Sequence, residues 1–269
     1  MSSAADLPGK MRALRERLRA SAPLAIAYSG GVDSAFLLAV AVETTGEDCL
    51  GVIADSPSLP RQALRDAVAL AERIGARLAV IPTTEMSDPN YTSNPVNRCY
   101  FCKAELFTQL DALVRTRGLR AIAYGENADD AQQVRPGRKA AEEFAILAPL
   151  REVGLTKSEI RECSRAMQLP TADAPAQPCL SSRIPHGTPV TAEALNMIER
   201  AEAIVREFGF RVFRVRHHVE AERPSARLEI LPNEMPALAG IAETLRSALR
   251  GVGYAEVVID PRGYRSLGA

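Results

Sequence analysis

Short apolar runs alternate with longer amphipathic stretches through the first half of the chain. The apolar runs lie at 24–28, 50–54, 77–81, 120–124 and 144–147. Continuous runs of this length, separated by segments long enough for a helix, are typical of buried parallel strands joined by crossover helices. One such helix is predicted at 60–74, where Leu64, Val68 and Ala71 fall on one face. The pattern predicts an α/β fold with an open parallel sheet.

The pattern changes between 169 and 189, where five prolines exclude a regular helix or a central strand. Just before this stretch, Thr156 and Glu159 form a capping box that predicts a helix running to Met167. Beyond Thr191 the predicted order is a helix to about 208, strands at 211–215 and 226–231, a helix at 236–249 and a strand at 256–259. This order is typical of a small α+β domain. We predict an α/β domain at 1–188 and an α+β domain at 189–269 that serves substrate binding or oligomerisation.

The composition is that of a folded globular protein, with 46% apolar and 25% charged residues among the 269. The 33 basic residues equal the 33 acidic ones, so no bulk positive field attracts nucleic acid, and a small-molecule substrate is favoured. No apolar stretch is long enough to span a bilayer, and residues 1–10 lack a secretory pattern. We expect a cytoplasmic protein without a membrane or nucleic-acid partner, and a homo-oligomer as its assembly.

A glycine-rich loop follows the first predicted strand and precedes a helix. Its residues are Ser29, Gly30, Gly31, Val32, Asp33 and Ser34. Glycines let the backbone turn tightly against an anion, and the free N–H groups at a helix start point towards phosphate oxygens. An ordinary strand-to-helix turn has a similar composition, but position, composition and flanking elements together favour a phosphate loop. It is neither a Walker loop, since no Gly-Lys-Ser/Thr follows, nor a dinucleotide fingerprint, which spaces its glycines differently.

A second polar segment, Gly-Glu-Asn-Ala-Asp-Asp at 125–130, follows the fourth predicted strand. The carboxyl ends of strands in an open α/β sheet face the ligand crevice, although Asn and Asp are also ordinary turn residues. Beside a phosphate loop, Asp129 and Asp130 are candidates for a magnesium site or for fixing the α phosphate. Lys157 opens a predicted helix, where a cation opposes the helix dipole and needs a partner. Phosphate is one candidate partner, and solvent is the other.

The five cysteines are an odd number, which favours metal or catalytic roles over a disulfide framework. Cys99 and Cys102 have metal-chelating spacing, which fits half a zinc site, a redox pair or a packed turn. Cys179 lies in the proline-rich connection near a cationic side chain that would favour thiolate. Three thiolates with one open position also suit an iron–sulfur cluster. Cys49 and Cys163 have apolar neighbours and are predicted to be inert.

The sequence resembles the PP-loop ATP pyrophosphatases, whose SGGxDS loop it matches at every position. Members of that superfamily bind ATP, release pyrophosphate and leave an adenylate on the substrate. The resemblance implies that the loop holds the β and γ phosphates, with Asp33 as a catalytic residue, and that Ala54 lies near the adenine. We assign Gly125, Asp130 and Lys157 to the same ATP site, with magnesium as a cofactor.

Further stretches narrow the resemblance to the LarE family, sulfur transferases that build the nickel-pincer nucleotide cofactor of lactate racemase. Besides the phosphate loop, the matching stretches lie at 97–103, 125–130, 135–137, 149–161, 175–187, 214–218, 226–230 and 260–265. They follow one another in order over nearly the whole chain. The most specific marker is Cys179 with Arg183-Ile184-Pro185, because many families share the phosphate loop.

The family resemblance implies a two-step reaction on pyridinium-3,5-biscarboxylic acid mononucleotide. A carboxylate is first adenylated, and sulfur from sulfide or another donor then displaces AMP to give a thiocarboxylate. In one branch a cysteine at the position of Cys179 gives up its own sulfur and becomes dehydroalanine. In another branch three cysteines hold a [4Fe-4S] cluster that passes on an extra sulfide. With Cys99, Cys102 and Cys179, this chain resembles the cluster branch.

Two arginines of the small domain, Arg214 and Arg216, alternate on a predicted strand and therefore share one face. A solvated strand face explains them equally well. The family resemblance instead implies a grip on the phosphate of the substrate nucleotide, which guanidinium groups suit. Arg183 is assigned to the same substrate site, and Glu202 and Glu229 are assigned to position these arginines or a metal.

Three alternatives remain open on the sequence. A tRNA-thiolating PP-loop enzyme shares the loop and the cysteines, but the balanced charge disfavours it. An amidating PP-loop synthetase shares the adenylation step, but its chemistry does not call for Cys99, Cys102 and Cys179. A nucleotide-sensing protein with a structural metal clip would bind ATP without forming pyrophosphate.

Overall fold

The structure, a computed structural model, describes residues 7–132, 136–175 and 178–265. Arg135 of the matching stretch 135–137, and positions 176 and 177 of the stretch 175–187, lie outside the described residues. Contacts divide the chain into two compact units, the first comprising 1–56, 61–85 and 97–177 and the second 57–60, 86–96 and 178–269. Independent domains at 1–188 and 189–269 stay a prediction.

The first unit contains a parallel sheet with helices on its faces. Within the described residues its strands are β1 (Leu24–Ala27), β2 (Cys49–Asp55), β3 (Arg77–Pro82) and β4 (Ala121–Tyr124), in the order β3-β2-β1-β4. All three pairings are parallel. Its helices are α1 (Leu7–Ser21), α2 (Val32–Thr45), α3 (Arg61–Ile74), α5 (Arg98–Arg117), α6 (Pro136–Glu143), α7 (Pro149–Glu152) and α8 (Lys157–Ala166). The predicted open parallel sheet is confirmed.

Burial explains why these apolar runs form strands. Leu50 and Val52 of β2 pack in one core with Phe107 of α5. Gly51, between them, points the other way, and a Cβ built on it would lie 3.3 Å from the side chain of Leu38 in α2. Since successive residues of a strand face opposite sides, helices cover both faces of the sheet. This is why the central strands β1 and β2 are apolar runs without alternation. The burial predicted for the run at 77–81 is wrong, because β3 lies at the edge of the sheet and none of its residues is buried.

The strand predicted at 144–147 is wrong. Within the described residues, Leu147 forms one isolated parallel bridge with Ala123 of β4. Ala145 has a φ of 52°, in the left-handed region, which is incompatible with extended backbone. Pro149 then begins α7. The run meets the sheet at one point and leaves it again.

The second unit contains a smaller mixed sheet. Its strands are β5 (Phe213–Glu220), β6 (Arg223–Ile230) and β7 (Glu256–Ile259), with β5 and β6 antiparallel and β6 and β7 parallel. Its helices are α4 (Pro89–Thr92), α9 (Ala192–Glu207) and α10 (Ala242–Arg250). Phe213, Val215 and Leu228 pack against Ala201 and Leu245 in a core of its own. The predicted order of elements after 191 is confirmed.

Two boundaries in this unit differ from the prediction. Strand β5 continues to Glu220 and turns into β6 through Ala221 and Glu222, whose φ angles are 48° and 63°. The helix predicted at 236–249 is interrupted at Gly240, which has a φ of 81°. A short 3-10 helix, Met235–Leu238, therefore precedes α10.

Throughout the three described ranges, no helix combines the length and the apolar character that crossing a membrane requires.

Candidate active site

The phosphate loop connects β1 to α2 in the first unit. Gly30 has a φ of 76°, and a Cβ on it would lie 2.8 Å from the Cβ of Ala67. Ser34 Oγ accepts a hydrogen bond from the Ser29 amide at 3.1 Å and donates to the Gly31 carbonyl at 3.1 Å. The loop is therefore closed by its own serine, and glycine is required at position 30 by both conformation and space.

The start of α2 is free of side-chain capping. Its N-cap residue is Gly31, which has no side chain to accept a capping hydrogen bond from the first turn. By contrast, α8 begins with the predicted capping box of Thr156 and Glu159, which is confirmed. Uncapped N–H groups carry the positive end of the helix dipole, so this turn offers donors to an anion.

Lys157 and Asp33 form an ion pair at the loop. Lys157 Nζ lies 2.7 Å from Asp33 Oδ2, and the Lys157 amide donates to Asp129 Oδ2 at 2.8 Å. The structure thus brings together three residues that the sequence singled out separately. Asp33 Oδ1 is buried and has no hydrogen-bond partner among the described residues. A buried carboxylate oxygen without a donor is costly, which fits a position completed by a ligand.

The second polar segment packs directly onto the start of α2. A Cβ on Gly125 would lie 2.7 Å from the amide nitrogen of Ser34, so only glycine permits this approach. Asn127 Oδ1 accepts hydrogen bonds from the amides of Asp129 at 2.9 Å and Asp130 at 3.2 Å, which fixes the turn. Both polar segments therefore lie at the carboxyl edge of the sheet.

Glu126 is a buried carboxylate that the sequence analysis did not single out. It accepts hydrogen bonds from Arg138 Nε at 2.8 Å and Arg151 Nη1 at 2.8 Å, and from the Tyr124 hydroxyl. Burial by itself would raise the pKa of Glu126, but hydrogen bonds from Tyr124 and Arg138 and the charge of Arg151 outweigh it and lower that pKa. Arg138 and Arg151 lie far along the chain from Glu126, and no local motif connects them.

Ala54, assigned to the adenine, is half-buried at the carboxyl end of β2. The next residue, Asp55, pairs with Arg61, whose Nη2 also donates to the Ser56 carbonyl at 2.5 Å. Ser56 Oγ donates to Glu85, a carboxylate that is only 2% exposed. These contacts order the strand end, and the adenine contact stays a prediction.

Cys99 and Cys102 lie in the first turns of α5, on one helix face. Cys99 is exposed and Cys102 is half-buried. Lys103 Nζ lies 4.7 Å from the ring centroid of Tyr124, so this end of α5 lies close to the end of β4. Two thiols one turn apart are well placed to share one metal or cluster.

The remaining two cysteines have the environment expected of inert thiols. Cys49 is buried, and burial raises its pKa to about 12. Burial and neighbouring acidic side chains raise the pKa of Cys163. Both groups are therefore thiols at neutral pH, which fits the inert role predicted for them.

In the second unit, Arg183 and Glu202 form a buried ion pair. Arg183 Nε lies 2.8 Å from Glu202 Oε1, and the two side chains are 7% and 8% exposed. Arg183 Nη1 donates to the carbonyls of Pro178 at 2.7 Å and Cys179 at 3.3 Å. Glu202 also accepts from the Val215 amide at 3.2 Å. Arg183 therefore anchors the backbone at Cys179. Glu202 neutralises the positive charge of Arg183, which was expected from the sequence to favour a thiolate at Cys179.

Arg216 is a paired arginine on the sheet face opposite the core. Its Nε lies 3.1 Å from Glu229 Oε1, and its Nη1 donates to the Ser182 carbonyl at 2.9 Å. Both of its partners belong to the second unit, so the pair links β5 to β6 and to the loop that carries Cys179. Glu229 thus positions Arg216.

Arg214 is buried without a carboxylate partner. It is 4% exposed, donates from Nη2 to the Tyr264 hydroxyl at 2.9 Å and lies 4.6 Å from the Tyr264 ring centroid. Its Nε and Nη1 have no hydrogen-bond partner in the part of the chain that the structure describes. Burial, with the nearby positive charges of Arg216 and Arg183, lowers the pKa of Arg214. A buried guanidinium with free donors is the feature expected of an anion site.

Asn94 is a further residue that the sequence analysis missed. It has a φ of 57°, and its Nδ2 donates to the carbonyls of Pro185 at 2.8 Å and Thr188 at 2.8 Å. The Gly187 amide returns a hydrogen bond to the Asn94 carbonyl at 2.9 Å. Asn94 therefore fixes the proline-rich connection, and no local signal in its own segment predicts this.

Among the described residues, no group of three or more His, Cys, Asp or Glu side chains forms a metal site. Cys99 and Cys102 belong to the first unit and Cys179 to the second. The cluster and the magnesium site stay predictions.

Comparison with known proteins gives several similarities over nearly the full length and one local similarity, while no family model matches. The chain is 39% identical over 263 residues to an uncharacterized protein of Synechocystis, covering 97% of this chain and 96% of that protein. It is 27% identical over 263 residues to pyridinium-3,5-bisthiocarboxylic acid mononucleotide synthase of Lactiplantibacillus plantarum, covering 97% and 94%. A stretch of 58 residues, 21% of the chain and 10% of the relative, is 40% identical to glutamine-dependent NAD(+) synthetase of Synechocystis.

A parallel sheet in the order β3-β2-β1-β4, with a glycine-rich loop between β1 and α2, defines an α/β protein of the PP-loop type. The similarities over nearly the full length take the assignment further. The chain belongs to the LarE family of PP-loop proteins. The relatives that carry a named activity are enzymes, which supports an enzymatic activity here.

Proposed function

We propose that this chain is an ATP-dependent sulfur transferase that converts a carboxylate of pyridinium-3,5-biscarboxylic acid mononucleotide into a thiocarboxylate, in nickel-pincer nucleotide cofactor synthesis. The observation that carries the proposal is similarity to the bisthiocarboxylic acid mononucleotide synthase over 97% of the chain. Neither tRNA thiolation nor amidation has comparable support.

The first step is adenylation. A carboxylate oxygen of the substrate attacks the α phosphorus of ATP, the bond to the β,γ unit breaks, and pyrophosphate leaves. The uncapped start of α2 and the ion pair of Asp33 with Lys157 support phosphate binding at 29–34. Asp129 and Asp130 are the residues that would hold magnesium, which needs few carboxylates when phosphates complete its shell. Bound there, magnesium would neutralise charge on the leaving group.

The second unit supplies the proposed grip on the substrate nucleotide. Arg214 has two buried donors without partners, which suit a phosphate oxygen. Arg216 lies on the same strand face and is held by Glu229. Arg183, held by Glu202, acts through the backbone at Cys179.

The second step replaces AMP by sulfur. A sulfur nucleophile attacks the carbonyl carbon of the adenylate, and the bond to AMP breaks. We assign Cys99, Cys102 and Cys179 as ligands of a [4Fe-4S] cluster, which when bound would carry the extra sulfide. Exposed Cys99 and half-buried Cys102, one turn apart on α5, would be two of these ligands. The competing possibility is that Cys179 gives up its own sulfur.

Pyrophosphate release tests the adenylation step. Gly31→Val and Asp33→Ala should abolish substrate-dependent release. Gly31 is extended at a φ of −73°, and a Cβ would meet only Ser29 Oγ at 3.6 Å, so the valine variant should fold. Arg15→Ala, which removes an exposed pair with Glu43, is the control and should release pyrophosphate normally. Near-normal release from both loop variants would remove the loop from the mechanism.

Anaerobic purification with iron and sulfide analysis separates the two sulfur routes. A cluster enzyme given sulfide should turn over repeatedly at constant polypeptide mass, and Cys99→Ala should lose iron and thiocarboxylate formation together. Loss of hydrogen sulfide mass at Cys179, with full activity in Cys99→Ala, would contradict the cluster and leave the ATP chemistry intact. Light scattering of the same sample tests the predicted homo-oligomer.

A further inference from the structure

A chain of hydroxyl groups ends on the sulfur of Cys179. Ser58 Oγ lies 2.6 Å from the Tyr91 hydroxyl, and the Tyr91 hydroxyl lies 3.1 Å from Ser181 Oγ. Ser181 Oγ lies 3.2 Å from Cys179 Sγ. All four residues belong to the second unit, although they come from three separate stretches of sequence.

The direction of the chain follows from one proton per hydroxyl. Tyr91 donates to Ser181. Because its proton is then used, the short contact with Ser58 requires Ser58 to donate to Tyr91. Ser181 Oγ, which accepts from Tyr91, forms the last contact with Cys179 Sγ, in which either atom could be the donor. Ser58 and Tyr91 therefore donate towards Ser181, whose oxygen contacts the sulfur.

Burial strengthens the hydrogen bonds between these hydroxyl groups relative to the same bonds in water. Ser58, Tyr91 and Ser181 are 3%, 1% and 1% exposed. Hydrogen bonds in a low-dielectric interior polarise one another, so a donor at one end strengthens the bond at the other. The Leu180 amide also donates to the Ser58 carbonyl at 2.8 Å, which fixes the two segments against each other.

We propose that Ser181 and Tyr91 are positioning residues that hold the sulfur of Cys179 in one orientation for sulfur transfer. Ser181 acts directly on the sulfur, and Tyr91 acts through Ser181. The proposal rests on the function proposed above for Cys179. The proposed role concerns the sulfur step only. Ser58, Tyr91, Ser181 and Cys179 all belong to the second unit, whereas the proposed ATP site lies in the first.

The test compares Ser181→Ala, Tyr91→Phe and the double variant, and measures pyrophosphate and thiocarboxylate in the same reaction. Ser181→Ala should lower thiocarboxylate formed per pyrophosphate about tenfold, the effect of losing one hydrogen bond to a charged or polarised group. Tyr91→Phe should lower it less, and the double variant should match Ser181→Ala because Tyr91 acts through Ser181. Ser93→Ala, an exposed serine in the same segment as Tyr91, is the matched control.

A purely structural role would lower both products together, and this result, or additive effects in the double variant, would overturn the proposal. Hydrogen exchange of ligand-free protein provides a readout that does not depend on the reaction. Peptides covering 178–184 should exchange faster in both single variants and normally in Ser93→Ala. Unchanged exchange would overturn the proposal whatever the enzyme produces. Faster exchange in both variants, combined with a wild-type protein that forms no thiocarboxylate, would support the hydroxyl chain and contradict the proposed function instead.

Discussion

At the scale of single residues, buried charged side chains differ in whether they have a partner of opposite charge. Glu126 in the first unit is met by two arginines, and Arg183 in the second is met by Glu202. Arg214 is equally buried, but within the described ranges its side chain has only the hydroxyl and ring of Tyr264 as partners. Breaking a buried pair leaves an uncompensated charge, whereas removing an unpaired buried charge relieves one. Substitutions at the paired and the unpaired positions should therefore change the free energy of unfolding in opposite directions.

Glu126→Gln should lower the free energy of unfolding by about 3 kcal/mol at neutral pH, since it leaves two arginines without their carboxylate. The folded pKa of Glu126 is lowered because hydrogen bonds and positive charges outweigh its burial. The stability it contributes is therefore complete above the unfolded carboxyl pKa of about 4.3, and is lost as pH falls through the lower folded pKa.

Urea unfolding between about pH 7 and pH 3 checks this expectation. The difference between wild type and Glu126→Gln should shrink below about pH 4. Glu243→Gln is the control, because Glu243 is an exposed carboxylate whose pKa is also lowered by arginines. Its effect on stability should be small. A difference for Glu126→Gln that stays constant into acid would contradict the assignment.

Arg214→Met and Arg216→Met should separate substrate binding from stability. Arg214→Met removes an unpaired buried charge, so its melting temperature should stay equal or rise while affinity for the substrate nucleotide falls at least about tenfold. Arg216→Met leaves Glu229 without its partner and should melt earlier. Calorimetry with each ligand and thermal unfolding measure both quantities. An Arg214→Met protein that melts early and also loses ATP binding would mean a general structural role.

Secondary-structure elements were predictable where the signal is local. The four strands of the parallel sheet, the capping box at Thr156 and the helix after Thr191 follow from periodicity and capping residues within one segment. Besides the helix interrupted at Gly240, two predictions fail where a non-glycine residue adopts a positive φ. Ala145 ends the run at 144–147, and Ala221 with Glu222 forms a hairpin turn that carries no glycine or asparagine. Such conformations are set by tertiary contacts, which one sequence does not display.

The residues of the candidate site were likewise predictable where they belong to a local motif. The phosphate loop and the segment at 125–130 are short motifs, and the structure brings Asp33, Asp129 and Lys157 together. Arg138 reaches Glu126 across 12 positions, and Tyr91 reaches Ser181 across 90. Residues that position the site through distant contacts leave no local pattern, and they are the residues that the sequence did not identify.

The proline-rich connection depends on Asn94, and two substitutions separate its contributions. Asn94→Ala should cost about 3 kcal/mol, because it removes buried hydrogen bonds to backbone carbonyls and places alanine at a φ of 57°. Asn94→Gly removes the same hydrogen bonds but tolerates this backbone conformation, so it should cost about 1 kcal/mol less. Urea unfolding measures both. Equal costs would show that backbone conformation at Asn94 contributes nothing.

At the scale of the whole molecule, each unit has a hydrophobic core of its own. The first core joins β1, β2 and β4 to α5 and α6. The second joins the small sheet to α9 and α10, and its buried members all lie between Met197 and Val257. Two stretches at 57–60 and 86–96 are inserted in the sequence of the first unit but belong to the second. The second core is nevertheless complete within the C-terminal part of the chain.

We therefore expect fragments 178–269 and 189–269 both to fold, with the longer one more stable. Both contain the whole second core, but only the longer one retains Arg183, the partner of the buried Glu202. The shorter fragment should be less stable by roughly 3 kcal/mol, because it leaves that carboxylate unpaired. Glu202→Met should restore most of this loss in 189–269 and should destabilise 178–269, where it leaves Arg183 unpaired. Urea unfolding followed by circular dichroism measures all four proteins. Equal stability of the two unsubstituted fragments would contradict the role of the pair, and failure of 178–269 to fold would show that the second unit requires its inserted stretches.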